Sequence, residues 1–183
     1  GVSYNSFFID DEKTCVLDAM DKVCRDEFLE DVEYLLHGRQ LDYFIIQHME
    51  PDHASSALAL VEKYPNVKIV GQAQTFKFFE QFYSEDYKAN YMTVTEGDQL
   101  DLGKHKLQFI KAPMVHWPEV IMTYDLTDKI LFSADSFGMF GTVGNIFADQ
   151  VEYEEEYLDE ARRYYVNIVG KYGAQVMAVL KKA

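Results

Sequence analysis

Short apolar runs and longer amphipathic stretches alternate through the first half of the chain. Apolar runs bounded by polar turns predict strands, and apolar residues that recur every three or four positions predict helices. The predicted strands cover residues 3–10, 14–19, 42–47 and 66–71. The predicted helices cover residues 25–37, 54–64 and 73–83. The first two strands flank the polar turn DDEK as a hairpin, and the interleaving that follows indicates an α/β fold.

The second half of the chain follows a different pattern, because strand signals succeed one another without helices between them. Strands are predicted at residues 89–96, 107–113, 119–125 and 130–135, with the polar stretch 96–106 as a turn. A helix is predicted over residues 150–172, with one face formed by Tyr157, Leu158, Ala161, Tyr164 or Tyr165, and Ile168. We therefore expect antiparallel strands here, within a layered sandwich of two inner sheets and outer helices.

Length and composition indicate one globular domain. The chain has 183 residues, which is enough for one substantial core and short for two, and no repeat or linker-like stretch divides it. The prediction is a single domain over residues 1–183. Because the chain starts with Gly1 instead of Met and closes on the apolar run VMAVL, we expect it to be truncated at both ends.

Charge and cysteine content narrow the choice of partner and compartment. The net charge of −14 argues against nucleic acid or an anionic membrane surface as a partner, because both would repel the chain. No apolar run reaches the roughly 20 residues of a membrane span, and the chain does not begin like a signal peptide. Cys15 and Cys24 form no CxxC motif and fit a reducing compartment as inert thiols, although pairing stays open. These features predict a cytoplasmic location.

The candidate chemistry is concentrated in the stretch IIQHMEPDHASSA, which follows an apolar strand. His48, Glu50, Asp52 and His53 all have side chains that can bind a metal. Asp52 next to Pro51 would also suit the N-terminus of the helix that follows, but this does not explain His48 and Glu50. Ligands at this spacing on a strand-to-helix loop can separate into two pairs, one of His48 with Glu50 and one of Asp52 with His53. The spacing therefore predicts a two-metal site, with the ions about 3.5–4 Å apart.

Two further candidate ligands follow later strands. His116 comes after the run FIKAPMV, and Asp135 comes after KILFSA. Either residue alone would be an ordinary turn residue, but together with the loop they complete a metal site. The other histidines fit structural places, because His37 lies at a predicted helix C-terminus and His105 lies near a turn, where we expect it to be exposed.

The motif HxExDH, followed by His in APMVHWPEV and Asp in ILFSADSFG, resembles the metallo-β-lactamase-like domain of the flavodiiron proteins, also called A-type flavoproteins, and of their oxygen-sensing relatives. The resemblance covers nearly the whole chain. It implies an α/β fold of the metallo-β-lactamase-like αββα four-layer sandwich type. Glu50 distinguishes this motif, because hydrolytic members of the superfamily usually carry His at that position.

The resemblance also implies how the ligands divide between two irons. One iron would be held by His48, Glu50 and His116. The second would be held by Asp52 and, as in at least some members of the family, by His53.

The resemblance assigns Asp135 to both irons, which it would bridge together with a hydroxo or oxo group. The family supplies one more histidine to the second iron, in a motif like SHG, but no histidine follows His116 in this sequence. The charge count supports iron independently, since the three carboxylates Glu50, Asp52 and Asp135 with one hydroxide balance two divalent ions. Carboxylate and imidazole ligands together suit Fe or Mn, although the same set would also hold Zn²⁺.

Members of this family reduce O₂ to water or NO to N₂O. Their electrons come from FMN in a flavodoxin-like domain after the metal domain, or from rubredoxin-type donors, and they pair as head-to-tail homodimers. This chain carries no GxGxxG pattern and no flavodoxin-like FMN loop, so FMN is implied only through a further domain or a partner.

Two alternatives to a reductase remain open from the sequence. One is a diiron oxygen sensor without rapid turnover, and the other is a binuclear metallohydrolase, against which Glu50 argues. The sequence does not distinguish O₂ from NO. Four apolar residues are candidates for an apolar pocket around the diatomic ligand or for ordinary core packing: Trp117, Phe137, Met139 and Phe140.

Overall fold

The first of two sheets contains all the parallel strands. The structure, a computed structural model, describes residues 3–83, 87–142, 144–152 and 155–182. The strand order of this sheet is β1–β2–β3–β4–β5. Its members are β1 (Phe7–Ile9), β2 (Cys15–Leu17), β3 (Tyr43–Ile45), β4 (Lys68–Gly71) and β5 (Tyr91–Thr93). The predicted hairpin is confirmed, since β1 and β2 are antiparallel, and β2 through β5 run parallel.

Helices make the crossovers that parallel strands require, because a tight turn cannot return the chain to the same end of a sheet. They are α1 (Arg25–Leu36) after β2, α2 (Pro51–Ala54) and α3 (Ala57–Lys63) after β3, and α4 (Ala73–Tyr83) after β4. Helix α1 ends as predicted beside Gly38. His37 takes a left-handed conformation there, with φ of 49°, and its amide donates to the Tyr34 carbonyl.

The second sheet is antiparallel and has the order β6–β7–β8–β9. Its strands are β6 (Gln99–Asp101), β7 (Lys106–Lys111), β8 (Ile121–Asp125) and β9 (Ile130–Phe132). After this sheet the chain forms α5 (Glu155–Ile168) and α6 (Gly173–Leu180). None of the helices in the described ranges is long and apolar enough to cross a membrane.

Alternating side chains divide the core into three apolar layers between four layers of structure. Val16 and Phe44 point from the first sheet towards the helices of the first half, while Leu17 points to the other side and packs with Phe109 of the second sheet. The outer face of the second sheet packs against the last two helices. The successive layers are therefore helices, sheet, sheet and helices, and the predicted αββα sandwich is confirmed.

Several element predictions need correction. The segment 89–96 does not join the antiparallel run, because β5 pairs with β4 in the first sheet. The stretch 96–106 is more than a turn, since it contains β6. The predicted helix 54–64 starts earlier, at Pro51, and is divided into α2 and α3.

The helix predicted over residues 150–172 is shorter, and Tyr153 and Glu154 lie outside the described residues. The structure selects Tyr164 over Tyr165 for its buried face. Leu158 was wrongly placed on that face, because 40% of it is exposed. Both cysteines are free thiols, and burial raises the pKa of the Cys15 thiol.

Candidate metal centre

The candidate ligands meet where the strands of both sheets end. The loop after β3 supplies four of them, the loop after β7 supplies His116, and the loop after β9 supplies Asp135. The amide of Ile121, at the start of β8, donates to the carbonyl of Gln47 at 3.0 Å and joins the two sheets at this edge. Carboxyl ends of parallel strands are common ligand sites in open α/β sheets. Residues distant in sequence therefore lie together at one edge of the two sheets.

In the loop after β3, backbone groups form hydrogen bonds with one another, so the side chains are not needed to cap the helix that follows. Glu50 occupies the N-cap position of α2 with extended backbone, and its carbonyl accepts the amide of His53 at 2.9 Å. Among the described residues no side chain caps this helix, and its N-cap is Glu50, so Asp52 does not have the capping role that its place beside Pro51 allowed. Both carboxylates are thus left for other partners.

Four donor atoms form the first group. Glu50 Oε2 lies 3.1 Å from His48 Nε2 and 3.0 Å from His116 Nε2. Asp135 Oδ2 lies 3.4 Å from His116 Nε2 and 3.7 Å from His48 Nε2. One atom from each of these residues falls within 4.8 Å of the others. Two imidazoles and two carboxylates therefore face one point.

A second group lies next to the first and shares Asp135 with it. Its members are Asp52, His53 and Asp135, again within 4.8 Å of one another. His53 Nε2 lies 2.7 Å from Asp135 Oδ1 and 3.9 Å from Asp52 Oδ2. Asp135 thus presents Oδ1 to the second group and Oδ2 to the first. Asp52 Oδ1 is buried without a hydrogen-bond partner in the described ranges, which leaves one acceptor for a cation.

The protonation of these groups shows how strongly the site attracts positive charge. Burial disfavours a charged His53, but hydrogen bonds to Asp135 and Asp18 outweigh it and raise its pKa to about 11. The pKa of His116 rises to about 9, because bonds to Asp135 and Glu50 likewise outweigh burial. Hydrogen bonds from His116 and His48 lower the pKa of Glu50 to about 2. Protons here occupy positions between imidazole and carboxylate that a metal can take.

The donor set fits two ions of the iron or manganese type. It combines imidazole nitrogen with carboxylate oxygen and contains no thiolate, which suits Fe and Mn. The structure brings all six predicted residues together: His48, Glu50, Asp52, His53, His116 and Asp135. The four loop residues form the two expected pairs, one of His48 with Glu50 and one of Asp52 with His53. Their ligation of metal stays a prediction.

Two carboxylates behind the site were not among the predicted residues. Glu119 Oε1 lies 2.8 Å from His48 Nδ1, and Asp18 Oδ2 lies 3.4 Å from His53 Nδ1. Asp18 directly follows β2 with a left-handed φ of 55°. The sequence could have indicated Asp18, because it is an acidic residue directly after β2, a strand that runs parallel to β3. Glu119 lies in the quoted motif APMVHWPEV, but only the tertiary structure brings it next to His48.

Helix α5 contributes one further side chain to the edge of the site. The Tyr164 hydroxyl donates to the carbonyl of Asp135 at 3.2 Å, and burial together with the carboxylates of Asp135 and Glu50 raises its pKa. Gly138 makes room for this ring, because an added Cβ would lie 2.5 Å from it. Tyr164 therefore couples α5 to the loop that carries Asp135.

We expect Gly138→Ala to displace Tyr164 and to lower the stability of the chain by about 1–3 kcal/mol, the usual cost of overpacking. Gly144→Ala is the matched control, since an added Cβ at Gly144 meets no atom of the described residues within 4 Å. Thermal unfolding of the two variants measures the difference. Equal stability of both variants would show that the tyrosine is not held against Gly138.

The other sequence candidates have varied surroundings. Trp117 packs edge-on against the imidazole of His48, with ring centroids 5.2 Å apart. Phe140 packs against Tyr164, whereas Phe137 is 49% exposed. A pocket for a diatomic ligand formed by these residues and Met139 stays a prediction.

The expectation of an exposed His105 was wrong. Its side chain is 14% exposed, and Nδ1 lies 2.7 Å from Asp125 Oδ2, near Asp128. The pair joins β8 to the turn before β7, which explains the histidine structurally.

Comparisons with known proteins agree with this geometry. The family model described as ODP family beta lactamase matches residues 2–179. The anaerobic nitric oxide reductase flavorubredoxin of Aliivibrio salmonicida is 37% identical over the whole of this chain, which covers 36% of that protein. A putative diflavin flavoprotein of Nostoc is 34% identical over the whole chain, which covers 31% of it.

Solved structures give the same result. The flavodiiron protein of Giardia intestinalis superposes with a TM-score of 0.90 and 32% identity, over 99% of this chain and 44% of that one. The rubredoxin oxygen:oxidoreductase of Desulfovibrio gigas has a TM-score of 0.90 and 30% identity, over 100% of this chain and 45% of that one. The chain therefore spans about a third of these two curated relatives and less than half of these two solved structures.

Proposed function

The chain belongs to the ODP family of beta-lactamase-like domains found in flavodiiron proteins, and on this basis we propose that it holds a diiron centre that binds and reduces O₂ or NO. The observation that carries the proposal is the carboxylate of Asp135, whose two oxygens face two adjacent groups of ligands. A carboxylate that faces two adjacent groups of ligands can hold two ions at once, which suits a two-metal site with ions about 3.5–4 Å apart.

The proposed roles follow from the distances. His48, Glu50 and His116 would hold the first iron, Asp52 and His53 the second, and Asp135 both. When bound, a reduced iron pair supplies electrons and coordination positions for a diatomic ligand, which fits the reduction of O₂ to water or of NO to N₂O.

The protein contributes rigidity and charge to this chemistry. His48 is fully buried and fixed between Glu50 and Glu119, so its ring cannot turn away from the site. The pKa of Asp135 is held far below its usual range, because hydrogen bonds from His116 and His53 outweigh the effect of burial. The carboxylate therefore stays ionised at neutral pH and available to two cations. The Trp117 ring covers one side of His48 with apolar surface and limits the approach of water from that side.

Partners are proposed on the same basis. Since relatives are named flavorubredoxin and rubredoxin oxygen:oxidoreductase, we propose FMN in a flavodoxin-like domain or a rubredoxin-type protein as the electron donor. A two-iron centre stores few electrons, so turnover needs such a donor close by. A head-to-tail homodimer would bring the donor of one subunit to the metal centre of the other. We also propose a cytoplasmic location, where conditions are reducing.

The test begins with protein purified without oxygen and loaded with Fe²⁺. Metal analysis should give about two irons per chain, and the optical spectrum should change after a measured pulse of O₂ or NO. Reduced FMN or rubredoxin is then added while gas consumption is recorded. Consumption that continues faster than with the same donor in the absence of the protein supports the reductase, because reduced FMN reacts with O₂ by itself. Comparing the two gases gives the preferred substrate.

Other outcomes identify the alternatives. A spectral change that persists in the presence of the donor, with no gas consumption beyond that of the donor alone, would favour an oxygen sensor. Two zinc ions per chain with hydrolysis of a thioester or lactone would favour a metallohydrolase. Absence of both metal binding and a spectral response would contradict the diiron proposal.

A further inference from the structure

We propose that Glu119 is a positioning residue of the metal centre, which holds the Nδ1–H of His48 so that Nε2 faces Glu50 and Asp135 as a ligand. This inference rests on the proposed function, since it concerns the same centre. Glu119 lies in the turn before β8 and contacts none of the other five candidate ligands in the hydrogen bonds of the described chain. In the described residues its carboxylate bonds His48 and the adjacent backbone amide of Met49, so its influence would act on this part of the ligand loop.

Hydrogen-bond geometry identifies the donor and the acceptor in this pair. Glu119 Oε1 accepts the backbone amide of Met49 at 2.9 Å, and an amide N–H can only donate. The same oxygen lies 2.8 Å from His48 Nδ1. The acceptor oxygen thus receives the Nδ1–H of the ring, so Nε2, which lies 3.1 Å from Glu50 Oε2, is the nitrogen whose lone pair a metal can take in place of a proton. Ligating histidines commonly donate their other N–H to a carboxylate, which fixes the tautomer and the ring orientation.

Burial makes this pair difficult to replace by solvent. The side chains of His48 and Glu119 are both 0% exposed. Glu119 Oε2 is also buried, and in the described ranges it has no hydrogen-bond partner. A buried acceptor without a partner costs free energy, so a carboxylate at this position needs a compensating role. Raising the basicity of a metal ligand is such a role.

The backbone at Glu119 is anchored independently of its carboxylate. Gln72 Nε2 donates to the carbonyl of Glu119 at 2.8 Å and to that of Val120 at 3.1 Å. The amide of Ile121 adds its bond to Gln47. A substitution that keeps the shape of the side chain should therefore leave the loop in place. Glu119→Gln meets this condition, because its amide oxygen can still accept both N–H groups while the charge is lost.

The test uses Co²⁺ as a spectroscopic probe of the metal-free chain, with a competing chelator to measure affinity. We expect E119Q to lower the affinity for one of the two ions by roughly 10- to 100-fold, the effect typical of such outer partners. Asp42→Asn is the matched control. It also removes a partly buried carboxylate that accepts a backbone amide, but at the opposite end of β3. We expect D42N to bind Co²⁺ as the unaltered chain does, and both variants to unfold near the same temperature without metal.

A second measurement begins with the unaltered chain, so its first result does not depend on whether a variant folds. In the unaltered Co²⁺-loaded chain, proton NMR should show a hyperfine-shifted N–H signal that exchanges slowly with D₂O, because His48 Nδ1 is buried against Glu119. The signal should move in E119Q. A rapidly exchanging proton, or E119Q with unchanged affinity and signal, would overturn the role of Glu119 alone. An unaltered chain that binds no Co²⁺ would overturn the metal centre itself.

Discussion

Asp135→Asn should lower the metal content of the chain from about two ions to at most one. Asp135 belongs to both groups of ligands, and without its charge the second group keeps only Asp52 and His53. Metal sites in proteins normally have at least three protein ligands, so a group of two falls below this number. The first group keeps His48, Glu50 and His116 but loses one negative charge. We expect its affinity to decrease as well, and that of the second group to decrease by more than about 100-fold, beyond the loss typical of an outer partner.

The measurement for Asp135→Asn is iron content after anaerobic loading and gel filtration. Asp159→Asn is the control, because Asp159 is an exposed acid on α5 that pairs with Arg162. This control should retain about two ions. A D135N protein that still holds two ions would show that Asp135 does not bridge them, and the assignment of both groups would have to change.

Removal of metal should lower the unfolding temperature of the chain by roughly 10–20 °C. Ligand binding stabilises the folded state by about 2.7 kcal/mol for each site at a hundredfold excess over Kd. Two sites give about 5 kcal/mol, and each kcal/mol corresponds to about 2–4 °C for a domain of this size. The structural reason is that Glu50, Asp52 and Asp135 lie close together and need positive charge. Calorimetry of loaded and chelator-treated protein measures the difference.

The metal-free protein should also show a dependence on pH of definite sign. The pKa of His53 is raised to about 11 and that of His116 to about 9, so their contribution is complete below the unfolded value near 6.5 and is lost as pH rises through about 9 to 11. The pKa of Glu50 is lowered to about 2, so its contribution is present above about 4.5 and is lost as pH falls towards 2. Metal loading should remove the loss at high pH, because the histidines then bind metal instead of protons. Equal unfolding temperatures with and without metal at pH 8 would contradict the stabilisation by metal. A metal-free unfolding temperature that does not fall as pH rises through about 9 to 11 would contradict the predicted pH dependence.

The sequence by itself determined the elements and the chemistry of the loop. Strands and helices were readable because apolar residues repeat with periods of about two and 3.6, which local geometry imposes on any chain. His48, Glu50, Asp52 and His53 were identifiable because their spacing places them on one strand-to-helix loop, whatever the rest of the fold. The segments 89–96 and 96–106 were assigned wrongly, and they contain the short strands β5 and β6. The partner of β5 lies before a helix, and the partner of β6 follows a turn. Local periodicity carries no information about which neighbour a strand pairs with.

Only the tertiary structure decided how the site is completed and supported. His116 and Asp135 were candidates from the sequence, but the folding of the two sheets onto each other brings Asp135 between the two groups. Glu119 is separated from His48 by 71 residues, and nothing in its own segment indicates a contact 2.8 Å long. Tyr164 rather than Tyr165 is buried because the pitch of α5 directs that side chain towards Gly138. Contacts between distant segments depend on packing, whereas the identity and spacing of ligands are local properties of the chain.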